Sequence, residues 1–185
     1  MKGPTRAAAI VGTMLLALAA ACGEKKVTVN VDVASFIAPE ERSGHYVAPP
    51  LSPPVEFELQ PIAVDLVEGL NNFTVAEEMG MDVAVQFRNA SGEGRARFTV
   101  FFNDAAANLF DTPPVTSLEA DLVAGQTTTG TSHFDADERV LALFRQEQVM
   151  MGLRMHWTPA SPEALDGDYT ITQIDARVVT SVQIF

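Results

Sequence analysis

Val27, Val29, Val31 and Val33 alternate with Thr28, Asn30, Asp32 and Ala34. That period of two, carried on to Ile37, predicts a strand with one face buried. Residues 38–54 interrupt it with Pro39, Pro49, Pro50, Pro53 and Pro54, and with Ser43-Gly44 between them. This stretch reads as a long connection or edge-hugging segment without a regular ladder. Alternation resumes in Val55, Phe57 and Leu59, then in Ile62, Val64 and Leu66, with Pro61 marking a kink or edge position. Glu68-Gly69-Leu70-Asn71-Asn72 reads as a turn. The clearest hairpin follows. Val83, Val85 and Phe87 form one face, and Ala96, Phe98, Val100 and Phe102 the other, joined by Asn89-Ala90-Ser91-Gly92-Glu93-Gly94.

The second half continues in the same way. Ala105–Phe110 predicts one helical turn, stopped by Pro113-Pro114. Leu118, Ala120 and Leu122 mark a strand ending at Gly125, and Thr127–Thr129 suits a strand or a loop. Asp137 has the form of a helix N-cap for a helix of about ten residues over 137–147, with Val140, Leu141, Leu143 and Phe144 as its apolar face. Val149, Met151, Leu153, Met155 and Trp157 alternate strictly up to Pro159. Tyr169 and Ile171 start one phase, and Ile174, Ala176, Val178, Val182 and Ile184 continue in another. The slip near Thr172-Gln173 predicts a β-bulge.

Eight to ten strands, one helix and no βαβ rhythm predict an all-β fold. An antiparallel β-sandwich, immunoglobulin-like or jelly-roll-like, buries these faces. A membrane β-barrel is the competitor, since the chain ends in the aromatic Phe185. The helix and the Pro-rich connection argue against it.

Composition narrows the function. The chain has 185 residues, 24 Asp+Glu against 12 Lys+Arg, and a formal charge of −12. That charge argues against a basic surface for nucleic acid. One cysteine excludes an internal disulfide framework, and three histidines leave little material for a metal or catalytic centre.

The N-terminus carries an address. Lys2 and Arg6 precede the uncharged stretch Ala7 to Ala21, which is shorter than the roughly 20 residues needed to span a bilayer. It ends Leu18-Ala19-Ala20-Ala21-Cys22-Gly23, and Cys22 is the sole cysteine. This resembles the lipobox of bacterial lipoproteins, although Ala19 stands where leucine is commonest. The resemblance implies cleavage between Ala21 and Cys22 and diacylglycerol on the Cys22 thiol. Residues 1–21 are then a signal peptide, 22–26 a lipidated tether, and 27–185 a single sandwich domain. Gly23 rather than Asp after the cysteine implies the outer membrane, where the organism has one. The tether is short, so the body is expected within about 15–20 Å of the membrane. Lys25 and Lys26 stand beside the lipid, free to touch anionic headgroups or to be solvated.

Candidate chemistry is sparse. Asp135, Asp137 and Glu138 suit a helix start, and Asp166 and Asp168 flank Gly167 in what reads as a turn. Each set is also a Ca²⁺ candidate, though neither has EF-hand spacing. His45, His133 and His156 are far apart and read as surface or strand-face residues. No nucleophile elbow, zincin or phosphate-loop motif occurs. A carboxylate pair for glycoside hydrolysis would require a cleft. Trp157 with Met151 and Met155 fits a ligand stripe or, at period two, a core stripe. Asn72-Phe73-Thr74 and Asn89-Ala90-Ser91 have the form of sequons but also read as turns.

The expectation is a lipid-anchored, non-catalytic envelope lipoprotein without cofactor, acting as a binding or envelope-interaction module. Its partners would be the membrane through Cys22, and an envelope protein or glycan. A carbohydrate- or calcium-binding module is the alternative. Pro and charge near the edges point to a monomer.

Overall fold

The computed structural model describes residues 24–65, 76–146 and 148–183. Ala21 and Cys22, the turn at 68–72, the sequon at 72–74 and the terminal Phe185 lie outside them. Ten strands form two antiparallel sheets. They are β1 (Glu24–Asp32), β2 (Ser43–Ala48), β3 (Val55–Glu58), β4 (Ile62–Asp65), β5 (Ala76–Ser91), β6 (Gly94–Asn103), β7 (Thr116–Leu122), β8 (Thr127–Asp135), β9 (Gln148–Pro159) and β10 (Leu165–Gln183). One α-helix, α1 (Glu138–Leu143), and 3-10 turns at Val33–Phe36 and Ala106–Asp111 complete the described elements.

The first sheet runs β1-β10-β5-β8, the second β3-β9-β6-β7. β10 is long enough to take two strands on one edge: β1 along Asp175–Gln183 and β2 along Leu165–Thr170. β9 does the same, with β3 along Arg154–Trp157 and β4 along Gln148–Met151. Counting each pair of half-strands as one, consecutive strands change sheets at nearly every connection. That is the double Greek-key order of a jelly roll, not the immunoglobulin arrangement.

Inward-facing residues of the two sheets form one core. Met81, Val83, Val85 and Phe87 of β5 are buried, as are Phe98, Val100 and Phe102 of β6 and Met151, Leu153, Met155 and Trp157 of β9. The alternating stripe of β9 is therefore core. The β10 bulge is present, with the register shifting between Ile171 and Gln173 against β5. Thr172 then donates from its hydroxyl to Ala84 O at 3.0 Å.

Four expectations are corrected. The first strand begins at Glu24, so the stretch read as tether is already paired, Glu24 to Gln183 through Lys26 to Ser181. Within 38–54, Ser43–Ala48 forms a regular ladder with β10. The helix is six residues, not about ten. Asp137 caps it as expected, accepting from Val140 N at 2.9 Å, but Phe144 ends it by turning edge-on to Phe102. The segment 89–94 is not a hairpin turn. β5 and β6 do not pair; both edges of β5 are taken by β10 and β8, and both edges of β6 by β9 and β7. The turn instead carries the chain across the sandwich. Gly92 adopts φ +69°, and a Cβ there would meet Ala164 O at 2.5 Å.

Charged pairs cover the outer faces. Glu56, His156, Arg97 and Glu119 stand in one row across β3, β9, β6 and β7. Arg154 holds Glu58 through Nε at 2.8 Å and lies over the rings of Phe101 and Phe110.

Candidate functional site

Among the described residues β2 and β3 are sheet-edge strands, and a groove of about 660 Å³ lies between them. Val55 and Phe57 follow the core-facing register, opposite Trp157 and Met155. Phe57 is nevertheless 46% exposed. Val47, on the outer register of β2, is 52% exposed.

The floor is aromatic. Tyr46 stacks on Trp157, with ring centroids 5.3 Å apart and planes 18° apart. Tyr169 also lies against Trp157, tilted by 41° with centroids 6.3 Å apart. Two cross-strand pairs set the tyrosines in place, Tyr46 opposite Gly167 and Tyr169 opposite Gly44. The Tyr46 hydroxyl donates to Asn89 Oδ1 at 3.2 Å, and Asn89 Nδ2 donates to Gly92 O at 2.8 Å. Asn89 is buried, so this sequon position is structural. Burial, and next the charges of Asp168 and Asp166, raise the Tyr46 pKa well above its usual value. Burial first and Glu41 second raise that of Tyr169. Both phenols are neutral donors at neutral pH. Trp157 is only 4% exposed, and its Nε1–H has no acceptor. Among the described residues it is the one buried side-chain polar atom without a partner.

The rim is acidic. Glu40, Glu41, Glu56 and Glu58 line the groove beside His45. Glu56 pairs with His156 and Arg154, and Glu58 with Arg154. Glu40 and Glu41 face no basic group among the described residues. Sequence reading missed this site. The available signal was the flanking prolines at 49, 50, 53, 54 and 61, which leave 43–48 and 55–60 free of proline.

Each histidine stands beside carboxylates on an outer sheet face. His45 Nδ1 lies 3.2 Å from Asp168, and its Nε2 3.7 Å from Asp166. His156 pairs with Glu56. His133 Nδ1 is 2.7 Å from Asp82, and its Nε2 is 3.5 Å from Asp135. The hydrogen bond to Asp82 raises the His133 pKa above its usual value. These contacts account for most of the Ca²⁺ candidates. Asp166 and Asp168 flank His45, Asp135 faces His133, Asp137 caps α1, and Glu138 lies exposed in its first turn. Among the described residues, no three His, Cys, Asp or Glu side chains converge to hold a metal. Lys26 is engaged by Glu77 at 3.0 Å and Glu78 at 3.3 Å rather than standing free.

No protein-family profile and no curated protein sequence matches the chain. Solved structures with a similar outline include infectious bursal disease virus particles. The T=1 particle matches at TM-score 0.46 and 10% identity over 87% of this chain and 36% of that one. The Gx strain matches at 0.44 and 9% over 87% and 38%. The chain thus spans little more than a third of those viral proteins. The Eiger TNF from S. frugiperda matches at 0.34 and 5%, over 60% and 63%. At TM-scores below 0.5 these similarities carry no inference about what this chain does.

Proposed function

We propose that the chain is a membrane-tethered binding module, an envelope lipoprotein anchored through Cys22 and binding through the groove between β2 and β3. The observation that supports it is placement. β1 starts at Glu24, next but one to Cys22, and pairs there with Gln183 at the C-terminal end of β10. The groove lies toward the other end of β10, where His45 pairs with Asp168. About 15 strand residues, or at most about 50 Å, separate the two. A lipid on Cys22 would hold one end of the sandwich at the bilayer and turn the aromatic floor away from it. Two or more acyl chains give stable anchoring. The acidic body would be repelled by an anionic surface and stand off from it.

Radiolabelled-palmitate incorporation and membrane fractionation test the anchor, on wild type and Cys22→Ala. Label and membrane association that both depend on Cys22 support the reading. A wild type that takes no label and fractionates like Cys22→Ala overturns it.

A further inference from the structure

The groove is acidic at its rim, apolar on its walls and aromatic at its floor, and its sides are strand edges left unpaired among the described residues. We propose that it takes an extended peptide segment bearing lysine or arginine, laid along the free edges of β2 and β3. The inference rests on the groove being the binding surface of the anchored module.

Three features point to this occupant. First, among the described residues β2 pairs only with β10, and β3 only with β9, so each offers a row of backbone donors and acceptors to an added strand. Prolines blunt the chain on both sides of these edges but not within them. Second, Glu40 and Glu41 at the rim have no basic partner among the described residues, which leaves negative potential for a cation to meet. Third, Val47 and Phe57 expose apolar surface beside the carboxylates, matching the alternation of charged and apolar side chains along a strand.

Other occupants fit less well. A second copy of this chain would bring another acidic rim at a formal charge of −12. An anionic glycan or nucleic acid meets the same repulsion. A sugar stacks on an open ring face, whereas Tyr46, Trp157 and Tyr169 are all buried. A quaternary ammonium ion makes no use of the strand edges.

Trp157 is the sole tryptophan, so its emission reports on the floor of the groove. The full chain in detergent is titrated with a capped, fluorescein-labelled hexapeptide of alternating lysine and valine. Binding is read by peptide anisotropy and by Trp157 emission together. Parallel titrations use the glutamate–valine peptide, the lysine–valine peptide N-methylated at alternate residues, and tetramethylammonium chloride. The expected result is saturable binding of the basic peptide by both readouts, with loss of binding on N-methylation or charge reversal. Replacing both Glu40 and Glu41 with Gln should weaken it about two- to tenfold, as should high salt. Glu163→Gln, an exposed charge outside the groove, should leave the affinity unchanged. Equal melting temperatures for the variants and wild type exclude misfolding as the cause. No binding of the basic peptide, equal binding of the N-methylated or acidic peptide, anisotropy without any Trp157 response, or the same response to tetramethylammonium would each overturn the proposal. Palmitate labelling of Cys22 is independent of these results, so a failed titration with intact labelling removes the peptide ligand and leaves the anchored module standing.

Discussion

Tyr169 lies over Gly44 on the neighbouring strand, so closely that a Cβ added to Gly44 would stand 2.7 Å from the tyrosine ring. The relationship is repeated two pairs along the ladder, where Tyr46 covers Gly167. The two pairs differ in what a methyl group would strike. At Gly44 it meets only the ring of Tyr169, whereas at Gly167 it also meets the backbone oxygen of Arg88 at 2.4 Å. A ring edge yields more easily than a β-sheet backbone. Gly44→Ala is therefore expected to cost about 1–2 kcal/mol, and Gly167→Ala about 3 kcal/mol or more. Urea unfolding of both variants checks the order. Equal costs would mean that the tyrosine, not the β5 backbone, sets the penalty at both positions.

Much of this architecture is legible in residue alternation, because period two states which side of a strand is buried. The β9 stripe from Val149 to Trp157 and the β10 phase slip at Thr172-Gln173 were readable for that reason. Alternation does not state which neighbour covers the buried side. Val83–Phe87 and Ala96–Phe102 look like the two strands of a hairpin, yet they face each other across the core in different sheets. β2 escaped notice for another reason. Its inward positions are Gly44, Tyr46 and Ala48, and the glycine and alanine give little hydrophobic signal, although Tyr169 lying over Gly44 requires the glycine. The groove depends on β2, since it forms where, among the described residues, β2 and β3 end their sheets. The histidine–carboxylate pairs were hidden too, because they depend on cross-strand register.

His133 gives the fold a pH dependence of definite sign. Its hydrogen bond to Asp82 raises its pKa in the folded chain, and Asp135 adds attraction. Asp82 also stands in a row with Asp175 and Asp32 across adjacent strands, where like charges oppose one another. A raised folded pKa contributes stability below the unfolded value of about 6.5 and loses it as pH climbs through the folded value. Wild type should therefore exceed His133→Gln in melting temperature at pH 5, with the margin shrinking by pH 8. A margin that grows with pH would contradict the Asp82 pairing.

The short helix α1 depends on its cap. Asp137 accepts from Val140 N, and six residues of helix leave few other bonds to hold the first turn. Val140 and Leu141 anchor its apolar face in the core. Asp137→Ala should cost about 1 kcal/mol, and Asp137→Asn much less, because asparagine caps comparably. Denaturant midpoints of the two variants check this. Equal losses would show that the charge of Asp137, not its capping geometry, matters.

Trp157 sets two opposing terms against each other. Its indole is buried against Tyr46 and Tyr169, so truncation should leave a cavity, and Trp→Ala in a core typically costs about 3–5 kcal/mol. Its Nε1–H is also buried without an acceptor, which penalises the native tryptophan by about 1–3 kcal/mol. Trp157→Phe removes the unpaired donor while keeping a ring against Tyr46. Loss of the larger ring system and removal of the stranded donor then offset one another, and the net cost should stay below about 2 kcal/mol. Unfolding followed by circular dichroism, since the fluorophore is gone, measures it. A cost approaching that of Trp157→Ala would mean the indole N–H is already satisfied in the folded protein.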